Sequence, residues 1–290
     1  MARVRRVTVA GGRFFEYVSQ GTGPATLLVH PGGPGWTYHY LRGLLRLASA
    51  NFRVILFNPR GVGHSWAPKR SNDYAVSTLA EDVEAIRRAL KITELHLLGY
   101  STGGFVALEY AHRHPRQLTS LLLCATAGSE EEIHQAYRLM LGCATHKQRV
   151  RLRELTKAKA FDSAEYKQLS EEIYEPFQNR FVPSTDKDWK ATKVSQAVYR
   201  AMLTRDGDDF VVNGTISGWD GRKYYSKIEV PTAVVVGRYD YFLSPSVEMN
   251  DRIEPAHLRV LARSSHMAIL EQPREFLGTV REFLNDVTGG

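Results

Sequence analysis

The stretch Leu97-Leu98-Gly99-Tyr100-Ser101-Thr102-Gly103-Gly104 decides the fold of this chain. An apolar run over residues 95–98 predicts a buried strand, and a helical pattern over residues 105–111 follows it. The Gly-x-Ser-x-Gly pattern between them predicts a nucleophile elbow, a sharp strand-to-helix turn that exposes a serine hydroxyl. Glycines flank the serine because its backbone is strained and larger side chains would collide there. An ordinary glycine-rich strand–helix loop is the alternative interpretation of this stretch.

Strands and helices alternate on both sides of the elbow. A continuous apolar run at residues 25–30 predicts a central strand that is buried on both faces. Residues 52–57 predict another buried strand, and residues 118–124 predict a further strand. Apolar residues recur at helical spacing over residues 79–90. An N-terminal pair of strands turns at Gly11-Gly12, which is typical of a hairpin. This alternation predicts an α/β fold in which a parallel sheet carries helices on both faces.

Residues 126–227 interrupt the alternation. Strand patterns are missing there, charge rises, and short helical stretches are broken by prolines and glycines. The α/β pattern then resumes with a predicted strand at 232–236 and a closing helix at 272–287. We therefore predict an α/β core made of residues 1–125 and 228–290, with residues 126–227 as a helical cap over the sheet's C-terminal edge. A separate domain is the alternative.

Three distant side chains are candidates for a catalytic triad. A serine hydroxyl is a poor nucleophile unless a base takes its proton and a carboxylate holds that base. In an α/β sheet such partners stand at the C-terminal ends of strands, beside Ser101. Asp240 lies just past a predicted strand, although a turn-forming aspartate before Ser244-Pro245 is the alternative. Of ten histidines, His266 lies in a short polar loop after the last strand. We predict that Ser101, Asp240 and His266 act together.

Two backbone N–H groups are needed to stabilise an oxyanion during acyl transfer. Thr102 begins the helix after Ser101, so its N–H is one candidate. The second N–H is expected in the glycine-rich loop that follows the predicted strand at residues 25–30. Pro31 has no N–H, so Gly32 and Gly33 are the candidates, and we favour Gly33. A phosphate-binding loop is another interpretation, but no Gly-Lys-Ser/Thr follows. We expect neither a cofactor nor a metal.

Composition limits the classes of partner. Hydrophobic residues make up 43% of the chain and charged residues 24%, as in ordinary globular proteins. The formal net charge is +7, but acidic residues are interspersed, so we expect a solvated surface and no nucleic-acid partner. We predict a cytoplasmic protein, with no signal peptide and no membrane partner, because no apolar stretch is long enough for either. The cysteines Cys124 and Cys143 fit a reduced compartment. The expected partner is a small-molecule or short-peptide substrate.

With these motifs in place, the chain resembles the α/β-hydrolase superfamily over nearly its whole length. The chain order serine, aspartate, histidine is that of its triads. Within the superfamily the chain resembles the proline-iminopeptidase-like group, peptidase family S33. That group shows a His-Gly-Gly-Pro-Gly loop, and this chain has His30-Pro31-Gly32-Gly33-Pro34-Gly35. The group's Asp-x-Arg-Gly-x-Gly-x-Ser segment is matched by residues 58–65, with Asn58 in the first place.

The resemblance implies an eight-stranded, mostly parallel sheet, a helical cap that roofs the pocket, and serine-hydrolase chemistry of the aminopeptidase type. Pro31 departs from it by taking the histidine's place in the loop. Tyr241 departs from it by following Asp240 where aminopeptidase members commonly have glutamate. A carboxylesterase, a lactonase or a carbon–carbon bond hydrolase with an apolar substrate is the main alternative. A non-catalytic binding protein and a cofactor-free lyase or oxygenase are further alternatives.

The predicted cap carries the residues on which substrate choice depends. Aminopeptidase members hold the free amine of the substrate with cap or loop carboxylates, as the resemblance implies. The acidic candidates for this role are Glu171, Glu172, Glu175, Asp206, Asp208, Asp209 and Asp220. For each of them, the alternative is a solvated charge on the protein surface. Aromatic side chains that would fold over the pocket are Tyr174, Phe177, Trp189, Tyr199 and Trp219.

Overall fold

An eight-stranded sheet runs through the computed structural model, which describes residues 3–289. Its strands are β1 (Arg5–Thr8), β2 (Phe14–Gln20), β3 (Ala25–His30), β4 (Phe52–Phe57), β5 (Glu94–Tyr100), β6 (Ser120–Cys124), β7 (Thr232–Gly237) and β8 (Ala256–Leu261). They lie in the order β1-β2-β4-β3-β5-β6-β7-β8. β2 is antiparallel to β1 and to β4, and every other pair is parallel. The predicted fold class is confirmed.

Helices connect the strands and close the chain. The α-helices are α1 (Val76–Ala89), α2 (Thr102–Arg113), α3 (Glu130–Cys143), α4 (His146–Lys157), α5 (Ala164–Gln178), α6 (Lys187–Ala191), α7 (Gln196–Met202), α8 (Leu243–Arg252), α9 (Ala268–Glu271) and α10 (Pro273–Thr288). Segments of 3-10 helix are Ala10–Gly12, Tyr38–Leu47, Ser71–Tyr74, Pro115–Gln117 and Arg222–Lys227. Most of these elements lie within a few residues of their predicted positions, because apolar periodicity marks them locally.

The two faces of the sheet carry two separate hydrophobic cores. Successive side chains of a strand point to opposite faces, so Leu27 and Leu28 of β3 lie in different cores. One core contains Val83 of α1, and the other contains Phe276 of α10. Each fully buried leucine contributes roughly 2 kcal/mol from the transfer of its side chain out of water. β3 is buried at every residue, and β5 at every residue but its first. The two strands therefore form a rigid base for the loops at their C-terminal ends.

A helical segment, α3 to α7, lies between β6 and β7 within residues 126–227. We call residues 126–227 the inserted segment. Its Trp219 stacks on Phe105 of α2 with ring centres 4.7 Å apart, and the indole N–H donates to Glu109 at 3.1 Å. On another side, Lys193 accepts a main-chain hydrogen bond from Thr37 at 2.9 Å. The inserted segment is therefore anchored on the helix that follows the elbow and on the chain that follows the glycine-rich loop. In the part of the chain that the structure describes, none of the helices is both long and apolar enough to cross a membrane.

Candidate active site

Ser101 stands in the strained turn between β5 and α2 that the sequence predicts. Its φ is +54° and its ψ is −125°, a conformation that L-residues rarely adopt. A Cβ on Gly99 would overlap the carbonyl oxygen of Gly103, and one on Gly103 would overlap that of His30. The turn is held from β6: Ser101 N donates to the carbonyl oxygen of Cys124 at 2.9 Å. Glycine at both positions is thus a steric requirement of the turn.

The structure brings Ser101, His266 and Asp240 together. Ser101 Oγ lies 3.0 Å from His266 Nε2, and His266 Nδ1 lies 3.1 Å from each carboxylate oxygen of Asp240. The main-chain N–H of Phe242 donates to Asp240 Oδ1 at 2.8 Å, which fixes the carboxylate. All three side chains are buried, with residue exposures of 7% for Ser101, 2% for His266 and 4% for Asp240. The arrangement suits an imidazole that donates through Nδ1 and accepts through Nε2.

The loop that carries His266 is held on both sides of its backbone. The hydroxyl of Tyr100 donates to the carbonyl oxygen of His266 at 2.5 Å, and His266 N donates to the carbonyl oxygen of Phe177 at 2.9 Å. The ring of Tyr241 stacks on the imidazole, with centres 4.5 Å apart and planes inclined by 22°. Burial raises the pKa of Tyr100 well above its usual range, so its hydroxyl stays a hydrogen-bond donor.

The glycine-rich loop lies against the elbow. Gly32 N donates to the hydroxyl oxygen of Tyr40 at 2.8 Å, so this N–H already has a partner. A Cβ on Gly32 would lie 2.5 Å from that of Ser101, which shows how closely the loop approaches the serine. Gly33, at φ +128°, lines the same cavity as Ser101 and Thr102. The oxyanion-binding role of Gly33 and Thr102 stays a prediction.

Three motif residues support the loops around the site. Arg60 donates to both carboxylate oxygens of buried Asp82, at 2.5 and 2.6 Å, and to the carbonyl oxygen of Asp73 at 2.7 Å. Asn58, where the related group has aspartate, accepts the main-chain N–H of Tyr38 at 3.0 Å. His30 is buried at the end of β3, and this burial lowers its pKa to about 4. These residues thus stabilise loops instead of carrying out chemistry.

A family profile described as the α/β hydrolase fold matches residues 25–273. The chain belongs to the α/β-hydrolase fold family. Among its relatives, a proline iminopeptidase of Saccharolobus solfataricus is 26% identical over 260 residues, covering 88% of this chain and 83% of the relative. A proline iminopeptidase of Heyndrickxia coagulans is 27% identical over an alignment of 295 positions, covering 97% of this chain and 98% of the relative. The predicted resemblance is confirmed, and family and relatives together identify a hydrolase.

Solved structures share the fold of this α/β hydrolase. The crystal structure of a proline iminopeptidase from Mycobacterium smegmatis superposes with a TM-score of 0.86 at 24% identity, covering 98% of both chains. The crystal structure of VinJ superposes with a TM-score of 0.89, also at 24% identity, covering 98% of this chain and 99% of that chain. At these identities the likeness establishes the fold alone.

A cavity of about 700 Å³ opens beside Ser101 and His266. This volume is within the range of pockets that hold small organic molecules. Its aromatic lining comes from both the core and the inserted segment: Trp36, Tyr40, Phe105, Tyr137, Phe161, Tyr174, Trp189, Tyr199, Tyr241 and Phe242. Of the aromatic side chains expected over the pocket, Tyr174, Trp189 and Tyr199 line it. Phe177 instead supports the His266 loop through its carbonyl oxygen, and Trp219 packs on α2.

The acidic candidates of the inserted segment separate by position. Asp209 and Glu171 line the cavity. Asp209 is the more strongly held, because its carboxylate accepts hydroxyl hydrogen bonds from Ser170 at 2.6 Å and Tyr199 at 2.9 Å. Burial, only partly offset by these two donors, raises the pKa of this carboxyl. Asp220, in contrast, forms an ion pair with Arg222 at 2.7 Å on a partly exposed surface.

Sequence reasoning missed three residues that hydrogen-bond to the main chain around this site. Tyr40 holds the glycine-rich loop, Tyr100 holds the His266 loop, and Glu271 accepts the main-chain N–H of Ser265. Of the three, Tyr100 alone has a local signal in the sequence, because it directly precedes the candidate nucleophile. Tyr40 and Glu271 occur in helical patterns, where nothing in the sequence separates them from ordinary core and surface residues.

Proposed function

We propose that this α/β hydrolase is a serine hydrolase in which Ser101 is the nucleophile, His266 the general base and Asp240 the residue that orients the base. One observation carries the proposal: the Oγ, imidazole and carboxylate groups form a continuous hydrogen-bonded series with distances of 3.0 and 3.1 Å. Such a series activates a hydroxyl that is otherwise un-ionised at neutral pH.

In the first step, His266 Nε2 takes the proton of Ser101 as Oγ attacks the carbonyl carbon of the substrate. The imidazolium that forms is stabilised by the adjacent carboxylate of Asp240. Because Nδ1 donates to Asp240, the ring is kept in the tautomer whose Nε2 can accept a proton. The stacked ring of Tyr241 adds a favourable cation–π contact as the imidazole becomes charged.

The tetrahedral intermediate carries its negative charge on the former carbonyl oxygen. The N–H groups of Gly33 and Thr102 stabilise this oxyanion, and the N-terminus of α2 adds its positive end. His266 then gives its proton to the leaving group, which departs as an amine or an alcohol. Water attacks the acyl-enzyme by the same steps in reverse, so that acid is released and the serine is restored.

We further propose an aminoacyl amide or short peptide with a free amine as substrate, as in the relatives named proline iminopeptidase. The chemical support is Asp209, a partly buried carboxylate in the cavity whose hydrogen-bond donors are neutral hydroxyls. An ammonium group bound there would gain a charge-assisted hydrogen bond in a site of low dielectric. Tyr174 lies between Asp209 and the triad. Its hydroxyl donates to the carbonyl oxygen of Asp209 at 2.8 Å, and its ring centre lies 6.5 Å from that of Tyr241, which stacks on His266.

An esterase that acts on a bulky apolar acyl group is the second candidate. The observation in its favour is Tyr241, which places an aromatic ring against His266 at a position where aminopeptidase members commonly have glutamate. The aromatic lining of the cavity would accept an apolar acyl group without any charged partner.

Labelling with a fluorophosphonate tests the proposed nucleophile. We expect the wild-type protein to react at Ser101, and Ser101→Ala to lose both labelling and hydrolysis of p-nitrophenyl acetate. Ser71→Ala, which changes an exposed serine outside the cavity, is the matched control and should behave as wild type. Full hydrolytic activity in Ser101→Ala would refute the proposed function.

Comparison of substrates separates the two candidates. L-proline p-nitroanilide and L-alanine p-nitroanilide carry a free amine, and their N-acetylated forms do not. An aminopeptidase should hydrolyse the free-amine forms with the higher kcat/KM. Hydrolysis of aryl esters with no preference for a free amine would favour the esterase.

A further inference from the structure

The end of α5 and the loop that carries His266 are joined by main-chain hydrogen bonds. His266 N donates to the carbonyl oxygen of Phe177 at 2.9 Å, and Met267 N donates to that of Gln178 at 2.8 Å. The last carbonyl groups of a helix have no partners within it. The His266 loop therefore satisfies carbonyl groups at the end of α5, and these hydrogen bonds join the loop to the inserted segment.

Glu271, at the end of the short helix α9, binds both sides of this junction. Its Oε1 accepts the main-chain N–H of Phe181 at 2.8 Å and the hydroxyl of Ser265 at 2.7 Å. Its Oε2 accepts the main-chain N–H of Ser265, the residue before His266. Ser265 Oγ in turn accepts the main-chain N–H of Arg180 at 3.2 Å. One carboxylate thus connects the inserted segment to the histidine loop.

We propose that Glu271 is a positioning residue for His266, an inference that rests on the proposed function. By binding Ser265 and Phe181 together, it fixes the His266 loop against the end of α5 and keeps Nε2 within hydrogen-bond distance of Ser101. Its action is indirect, through the main chain. Gln178 and Asn179, on the α5 side of the junction, line the cavity. The junction therefore borders the space that a substrate would occupy.

A carboxylate is required at this position because three donors converge on it. Two are main-chain N–H groups that cannot reverse their polarity, and the third is the hydroxyl of Ser265. An amide side chain has one acceptor oxygen, so a glutamine here would direct its NH₂ group at a main-chain N–H. The loop would shift to relieve this contact. A displaced base slows the chemical step and leaves ground-state binding nearly unchanged.

The test measures kcat and KM for p-nitrophenyl acetate, with active sites counted by fluorophosphonate labelling so that misfolded protein is excluded. We expect Glu271→Gln to lower kcat about tenfold or more per labelled site, with KM within about twofold of wild type. Ser265→Ala keeps the two main-chain bonds of Glu271 and loses the link to Arg180, so kcat should fall by a smaller factor, about threefold. Glu275→Gln, which changes an exposed glutamate one turn further along the chain, should leave both constants unchanged.

A kcat per labelled site within about twofold of wild type in both test variants would overturn the inference, and so would a rise in KM at unchanged kcat. If Glu271→Gln does not fold, Ser265→Ala decides by the same criteria. A wild-type protein that is not labelled at Ser101 refutes the proposed function, and the positioning role is refuted with it. A labelled, active wild type with unaffected variants refutes the positioning role alone.

Discussion

The hydroxyl of Tyr100, the residue directly before the candidate nucleophile, donates a 2.5 Å hydrogen bond to the carbonyl oxygen of His266. The two residues are 166 positions apart in the chain. Because Tyr100 belongs to β5 and Ser101 follows it, one strand end fixes both the nucleophile and the backbone of the candidate base. The spacing of the two candidate reacting groups thus depends on the buried end of a central strand.

Tyr100→Phe should lower both stability and turnover. The substitution leaves the buried carbonyl oxygen of His266 without its donor, which costs about 1–3 kcal/mol of unfolding free energy. The loop can then relax away from Ser101, and kcat should fall by roughly a factor of ten. Urea denaturation and steady-state kinetics on an aryl ester measure the two effects.

Tyr225→Phe is the matched control for this substitution. Tyr225 is also buried, and within residues 3–289 its hydroxyl has no hydrogen-bond partner. Its loss should therefore leave stability and kcat nearly unchanged. Equal destabilisation in the two variants would contradict the role assigned to the Tyr100 hydroxyl.

Asp240→Asn should abolish most activity without unfolding the protein. An amide can donate to Nδ1, which favours the imidazole tautomer whose Nε2 carries the proton and cannot act as a base. We expect kcat to fall by about 10⁴, with fluorophosphonate labelling slowed in parallel. Asp251→Asn, at an exposed position in α8, serves as the control. A fall of less than about tenfold would exclude Asp240 as the residue that orients the base.

Asp209→Asn should discriminate between substrates. Removal of the negative charge weakens binding of an ammonium group by about 1.5–3 kcal/mol, so kcat/KM for L-proline p-nitroanilide should fall roughly 10- to 100-fold. The constants for p-nitrophenyl acetate, which has no amine, should change little. Glu172→Gln alters an exposed acid of α5 and should affect neither substrate. Equal losses on both substrates would show that Asp209 supports the cavity wall without binding an amine.

His30 should make the protein less stable at low pH. Burial lowers its pKa from 6.5 to about 4, so the unfolded chain binds this proton more readily than the folded chain between these values. The free energy of unfolding should therefore decrease as the pH falls from 6.5 to 4, by about 3 kcal/mol from this group. From about one pH unit above 6.5 the histidine is essentially neutral in both states and contributes no pH dependence.

His30→Asn removes this titration and retains a donor for the carbonyl oxygen of Pro31, which His30 Nδ1 contacts at 2.8 Å. The difference in unfolding free energy between wild type and variant, measured by urea denaturation from pH 8 to pH 4, isolates the histidine from other titrating groups. His257→Asn, at an exposed position in β8, should follow the wild-type curve. Parallel curves for wild type and His30→Asn would show that His30 does not cause the acid dependence.

The sequence by itself determined the order of strands and helices, the elbow and the three residues of the candidate triad. These follow from local rules: apolar runs predict buried strands, and a strained serine turn admits only glycine at neighbouring positions. Parallel strands also end at one edge of the sheet, so residues just past those ends are brought together whatever the loops between them contain.

Only the tertiary structure decided which acid of the inserted segment enters the cavity and what holds the histidine loop. Asp209 and Asp220 look alike in the sequence, but packing of the inserted segment places the first beside Tyr199 in the cavity and the second beside Arg222 at the surface. Glu271 meets the main chain of Phe181 across 90 positions. Such contacts depend on how whole elements pack, and neither residue type nor spacing along the chain contains that information.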